Sequence, residues 1–168
     1  MEQNISSEQK WEARVSTKLE KATAHQIWPL LKDFFGLHKW FPGLAVCYGI
    51  HGNNGEPGCV RYCAGSGIKA DESNGDKPGP SWSTERLLAI DHSQMKFSYE
   101  IVDCNIGFKS YVSSMKVVPA GGGGGGGCVV EWCFRVDPVV GWKFEDLVGR
   151  YEVGLQLMTK KMEAAVSE

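Results

Sequence analysis

The chain has 168 residues, 18 basic against 20 acidic side chains, and a formal net charge of −2. That length suits one domain large enough for a core and a cavity. The balanced, interspersed charges offer no footprint for nucleic acid or an anionic membrane surface, so neither partner is expected. No segment approaches the roughly 18 uninterrupted apolar residues of a spanning helix, and the first seven residues hold no apolar signal core, which leads to the expectation of a cytoplasmic protein without stable membrane insertion.

The first element is a strand over 11–19, with Trp11, Ala13, Val15 and Leu19 on one face and Glu12, Arg14, Ser16 and Lys18 on the other. Thr23 is placed to cap a short helix running to Leu31, a second helical turn covers 33–37, and Pro42 stops it. Residues 44–50 and 58–64 read as a hairpin around the turn formers of 51–57. Residues 65–80 are rich in Gly and Pro without periodicity, long for a loop in a compact domain, and read either as a lid over a cavity mouth or as a solvated hairpin tip. Strands follow over 81–91, 95–103 and 108–119 in meander order. The seven glycines of 121–127 make a flexible tip rather than a phosphate loop, since they lack the Lys-Ser or Lys-Thr pair and the following helix that phosphate loops carry.

Residues 128–136 form the last strand, with Val130, Trp132, Phe134 and Val136 inward and Glu131 and Arg135 outward. The chain then ends in a long amphipathic helix whose stripe is Phe144, Leu147, Val148, Tyr151, Leu155, Met158, Met162 and Ala165. A helix with such a stripe must bury it, and the surface available is the concave face of a bent antiparallel sheet. The fold class is therefore α+β: seven antiparallel strands wrapped around a C-terminal helix, with two short helices after the first strand. The whole of 1–168 is one domain, with 1–8 disordered and 65–80 and 120–127 flexible.

Two charges are out of place in this pattern. Glu85 stands mid-strand in Trp-Ser-Thr-Glu-Arg-Leu, and Arg61 stands among small and apolar residues in Gly-Cys-Val-Arg-Tyr. Buried charges are tolerable only when paired and hydrogen-bonded, so the two are expected to meet. The six cysteines show no two-residue spacing of a zinc knuckle, and the four histidines no i, i+4 pairing, so no metal and no cofactor is expected and the cysteines read as small core residues of a reducing cytosol.

The element order, with Leu30-Leu31-Lys32-Asp33-Phe34 followed by Leu37-His38-Lys39, the Arg61 segment and the Glu85 strand, closely resembles lachrymatory factor synthase and its plant relatives in the helix-grip superfamily. The resemblance covers nearly the whole chain. It implies a helix-grip fold with a central cavity for an apolar small molecule, and a catalytic pair at Arg61 and Glu85. It also matches two cavity tyrosines to Tyr99 and Tyr111. The implied reaction is isomerisation of an alkenyl sulfenic acid to a thial S-oxide without a cofactor, Glu85 shuttling the proton while Arg61 holds its charge state and orients the sulfenic oxygen. The chain departs from the synthase at Ser81, where the synthase has an aromatic residue, and in 65–80, so substrate shape is open. A resemblance of 83–87 to abscisic-acid receptors is not sustained: 66–70 lack the gate proline, and Ile106-Gly107-Phe108 stands where the receptors carry His-Arg-Leu.

Two readings follow. In one, Arg61 and Glu85 catalyse, with Trp82, Tyr99, Tyr111, Trp132 and Tyr151 as ligand-binding wall. In the other, the same pair anchors the polar end of a lipid or plant metabolite that is carried unchanged, since an ion pair at a cavity serves either use. A third, plainer reading makes the pair purely structural, as inward aromatic residues ordinarily are. Nothing in the pattern points beyond a monomer or weak dimer.

Overall fold

The computed structural model of the chain describes residues 9–66, 80–121 and 126–167. The chain-start segment and the centres of the two long loops, where a lid and a glycine tip were expected, lie outside the described residues. The elements in order are β1 (Trp11–Leu19), α1 (Ala24–Leu31), a 3-10 helix (Phe34–Lys39), β2 (Leu44–His51), β3 (Val60–Gly65), β4 (Ser81–Asp91), β5 (Lys96–Cys104), β6 (Val112–Pro119), β7 (Cys128–Val136) and α2 (Phe144–Val166). The seven strands form one antiparallel sheet in the order β1-β7-β6-β5-β4-β3-β2. The inward residues of the sheet and the stripe of α2 share one hydrophobic core.

Local chemistry accounts for the elements. Thr23 caps α1 through a capping box with Gln26: the Thr23 hydroxyl accepts from the Gln26 N–H at 3.2 Å and the Gln26 side chain accepts from the Thr23 N–H at 3.0 Å. On α2, Leu147, Tyr151, Leu155, Met158, Thr159 and Met162 are buried, while Glu145 and Asp146 in the first turn complement the helix dipole. Ala165, expected on the buried stripe, is exposed, and Val166 takes the half-buried place at the frayed end.

The last meander strand corrects the sequence reading. It was expected from residue 108 but begins at Val112, because Gly107 and Ser110 adopt φ of +94° and +55°, which breaks the extended run. Met95 likewise belongs to a turn, with φ of +51°. β4 and β5 carry two register shifts, between Thr84 and Glu85 and between Leu87 and Ala89. The residues skipped there, Val102 and Leu88, are exposed although apolar, as bulged residues leave the inward-outward alternation. The first shift lies beside the strand's one buried acid.

Candidate functional site

Along β4, Ser81, Ser83, Glu85 and Leu87 point inward, as the period of two requires once Glu85 is fixed on that face. Across the sheet Arg61 is the direct register partner of Glu85. Both are buried, at 3% and 9% exposure. Arg61 donates from Nε to Glu85 Oε1 at 2.8 Å, and its Nη2 lies 2.7 Å from the same oxygen. Its remaining arm, Nη1, donates to the Phe34 carbonyl at 2.8 Å. The guanidinium lies over the Phe34 ring, 3.8 Å from its centroid, with Tyr99 on its other flank at 5.1 Å. Burial pushes the Arg61 guanidinium down, but the Glu85 carboxylate and further neighbours outweigh it and hold it above its ordinary value.

Glu85 lines a cavity of about 110 Å³, whereas Arg61 does not. Each of its three nitrogens contacts the carboxylate or the 3-10 helix, so Arg61 stands behind the wall and holds Glu85 in place. On the cavity side Glu85 Oε2 accepts from the Ser83 hydroxyl at 3.0 Å, and the Cys63 thiol lies 3.9 Å from Oε1. Ser83 and Cys63 each lie two residues from a charge along a strand, so the alternation that placed Glu85 and Arg61 was sufficient to find them. The Phe34 carbonyl and Arg150, which also borders the cavity from α2, carry no such signal.

The five aromatic candidates all border the cavity. Tyr111 and Tyr151 share a hydrogen bond, OH to OH at 2.7 Å, and the Trp132 Nε1–H points to the Tyr99 hydroxyl at 3.2 Å and to Ser113 Oγ at 2.8 Å. Tyr111 and Tyr151 thus satisfy each other and Tyr99 is satisfied by Trp132, as buried polar groups ordinarily are. Burial, reinforced by the Glu85 charge, pushes Tyr99 up to about 12, and burial holds Tyr111 and Tyr151 well above the ordinary phenol range. Trp82 differs from the other four: it is half-buried on the outward register of β4 and stacks on Tyr62, ring centroids 6.3 Å apart. Apolar wall is supplied by Leu37, Phe41, Ile101, Ile106 and Phe108.

A sheet gripping a helix around an apolar chamber with one acid in its wall is an arrangement shared with other proteins. The sequence profile of polyketide cyclase/dehydrase and lipid transport proteins matches residues 10–163. The chain belongs to that family. Members of such a family hold small apolar ligands in a cavity of this kind. In overall fold the chain is similar to a ginseng major latex-like protein from Panax ginseng, at 17% identity over 92% of this chain and 97% of that one, with a TM-score of 0.65. It is also similar to a Thermobifida fusca protein solved by NMR, at 20% identity over 90% of each chain with a TM-score of 0.68, and to XoxI from Bacillus cereus, at 20% identity over 91% and 94% with a TM-score of 0.64. At these identities the likeness speaks for the fold alone.

Among the described residues no group of three or more His, Cys, Asp or Glu is arranged to hold a metal ion, and no helix is long and apolar enough to cross a membrane.

Proposed function

We propose that this family member binds a small apolar molecule bearing one acidic hydrogen, and that Glu85 receives that hydrogen. The observation that carries this reading is the state of the Glu85 carboxylate. Oε1 is saturated by Arg61, but Oε2 has a single donor among the described residues, Ser83, and Glu85 borders an apolar chamber. A carboxylate so held is oriented for proton transfer, and geometry comes first in identifying a general base. Arg61 acts on the reaction through Glu85 and is a positioning residue.

Chamber size narrows the ligand. An apolar cavity of about 150 Å³ takes benzene, so about 110 Å³ suits a compact molecule of about that size. Such a chamber suits an alkenyl sulfenic acid. In that reaction Glu85 takes the proton from the sulfenic oxygen and returns it to carbon, giving the thial S-oxide without a cofactor. The second reading, carriage of an unchanged apolar metabolite, rests on the lipid-transport side of the family description. Enzymatically generated 1-propenyl sulfenic acid distinguishes the two. The isomerase reading expects thial S-oxide from the intact protein and none from Glu85→Gln. Absence of product from the intact protein, together with a retained, unaltered ligand in native mass spectrometry against a metabolite extract, establishes carriage instead.

A further inference from the structure

Cys47 on β2 and Cys63 on β3 are direct cross-strand partners, both free and both buried, with their sulfurs 3.7 Å apart. Directly opposed residues of an antiparallel pair have Cα atoms about 4.5 or 5.5 Å apart. Both spacings lie within the roughly 4.4–6.8 Å that a disulfide spans. Closing the bond therefore asks for side-chain rotation and no movement of the strands.

The surroundings of the pair are polar and charged. Cys47 Sγ lies 3.9 Å from the Phe34 carbonyl and Cys63 Sγ 3.9 Å from Glu85 Oε1, the two oxygens that Arg61 also grips. The Cys63 thiol, donating to Cys47, lowers the Cys47 thiol below its ordinary range; burial opposes this and the Arg61 charge assists it. The same hydrogen bond, then burial and the Glu85 charge, pushes Cys63 up. One sulfur is biased to thiolate and its neighbour to holding the proton, the division of labour of reactive cysteine pairs. Cys63 also lines the cavity and Cys47 does not, so a small solute inside it meets Cys63, with the Cys47 sulfur 3.7 Å behind. Among the described residues no other cysteine has a sulfur partner.

We propose that Cys47 and Cys63 are a redox-active dithiol that closes to a disulfide when a hydroperoxide enters the cavity. Cys63 passes its proton to the Cys47 thiolate and its sulfur attacks one peroxide oxygen; the O–O bond breaks, and a proton from solvent completes the departing water or alcohol, leaving Cys63 as sulfenic acid. Cys47 sulfur then attacks Cys63 sulfur; the S–S bond forms, the S–O bond breaks, and the Cys47 proton leaves with the hydroxide as water. Two electrons pass from the two thiols to the peroxide, and a dithiol reductant restores the starting state. Closure withdraws the Cys63 thiol from Glu85 Oε1 and ties β2 to β3 beside the carboxylate, so the redox state of the pair is read out at the cavity wall. The proposal holds whatever the cavity's ligand.

The test adds hydrogen peroxide at a few equivalents to the folded full-length chain, blocks residual thiols under denaturing conditions and maps the digest. The expected result is loss of two thiols per chain, linkage of Cys47 to Cys63, reversal by dithiothreitol, and a rate at least about tenfold above that of the chain unfolded in urea. In Cys47→Ser the linkage is absent and dimedone captures Cys63 as sulfenic acid. Absence of the 47–63 linkage in the folded protein, prior oxidation of another cysteine, or a rate equal to the unfolded chain overturns the proposal. Mapping of the unsubstituted chain decides the matter if the variant fails to fold.

Discussion

Glu85 is the residue on which the site turns, and its neighbours make its removal costly in two ways. Glu85→Gln leaves the Arg61 charge buried without a counter-charge, and breaking a buried pair costs about 3–5 kcal/mol. We expect the variant to lose proton transfer altogether and to melt earlier; retained turnover of a sulfenic acid substrate contradicts the role given to the carboxylate. Arg61→Lys keeps the charge but cannot reach Glu85 and the Phe34 carbonyl together, because one ammonium replaces a forked guanidinium that spans both. The expected cost is about 1–3 kcal/mol from the acceptor left unpaired. If Arg61 acts only by positioning Glu85, its loss lowers the rate without abolishing it, and the two variants differ in steady-state kinetics. Equal and complete inactivation of both would place Arg61 on the substrate after all. That the two charges meet was legible in Gly-Cys-Val-Arg-Tyr and Trp-Ser-Thr-Glu-Arg. Which of them faces the cavity was not, because the period of two assigns a face and leaves depth to the packing of the 3-10 helix against β3.

At the scale of the elements, the end of β3 approaches the backbone leading into β2 closely beside the cavity. A Cβ on Gly65 meets the Gly43 carbonyl oxygen at 2.0 Å and Leu44 Cα at 2.8 Å, both backbone atoms that cannot turn aside. Gly65→Ala is therefore expected to spread the hairpin and cost about 1–3 kcal/mol, the usual range for overpacking. Chemical denaturation measures it, and an unchanged midpoint shows that the strands separate freely there. Element existence and face were readable from alternation and from the Thr23 cap, as β1, β4 and β7 show, with bounds that agree residue for residue. The start of β6 was not. Phe108 and Tyr111 are buried aromatic residues of the kind that favour strands, whereas the turn is made by positive φ at Gly107 and Ser110, and serine seldom announces that conformation.

For the whole molecule, three tyrosines enclosed by the sheet and α2 tie stability to pH. Their protons are held more tightly in the folded chain than in the unfolded one, where a phenol titrates near about 10. The folded state binds more protons in the alkaline range, so the stabilisation is complete below about pH 10 and is lost as pH rises toward about 12, where Tyr99 is placed. We expect the thermal midpoint to fall across that window and tyrosinate absorbance to grow together with loss of near-ultraviolet circular dichroism. Titration of these tyrosines in a chain that keeps its tertiary signal runs against the enclosure described here.

The amino-acid sequence by itself determined the seven strands, the gripping helix and the meeting of Arg61 with Glu85, because periodicity and the cost of an unpaired buried charge are local rules that a single chain displays. The tertiary structure alone decided that Glu85 borders the chamber while Arg61 stands behind it, that Tyr111 pairs with Tyr151 and Tyr99 with Trp132, and that Cys47 faces Cys63. These are matters of register and depth between segments far apart in the chain, set by how the sheet bends over α2.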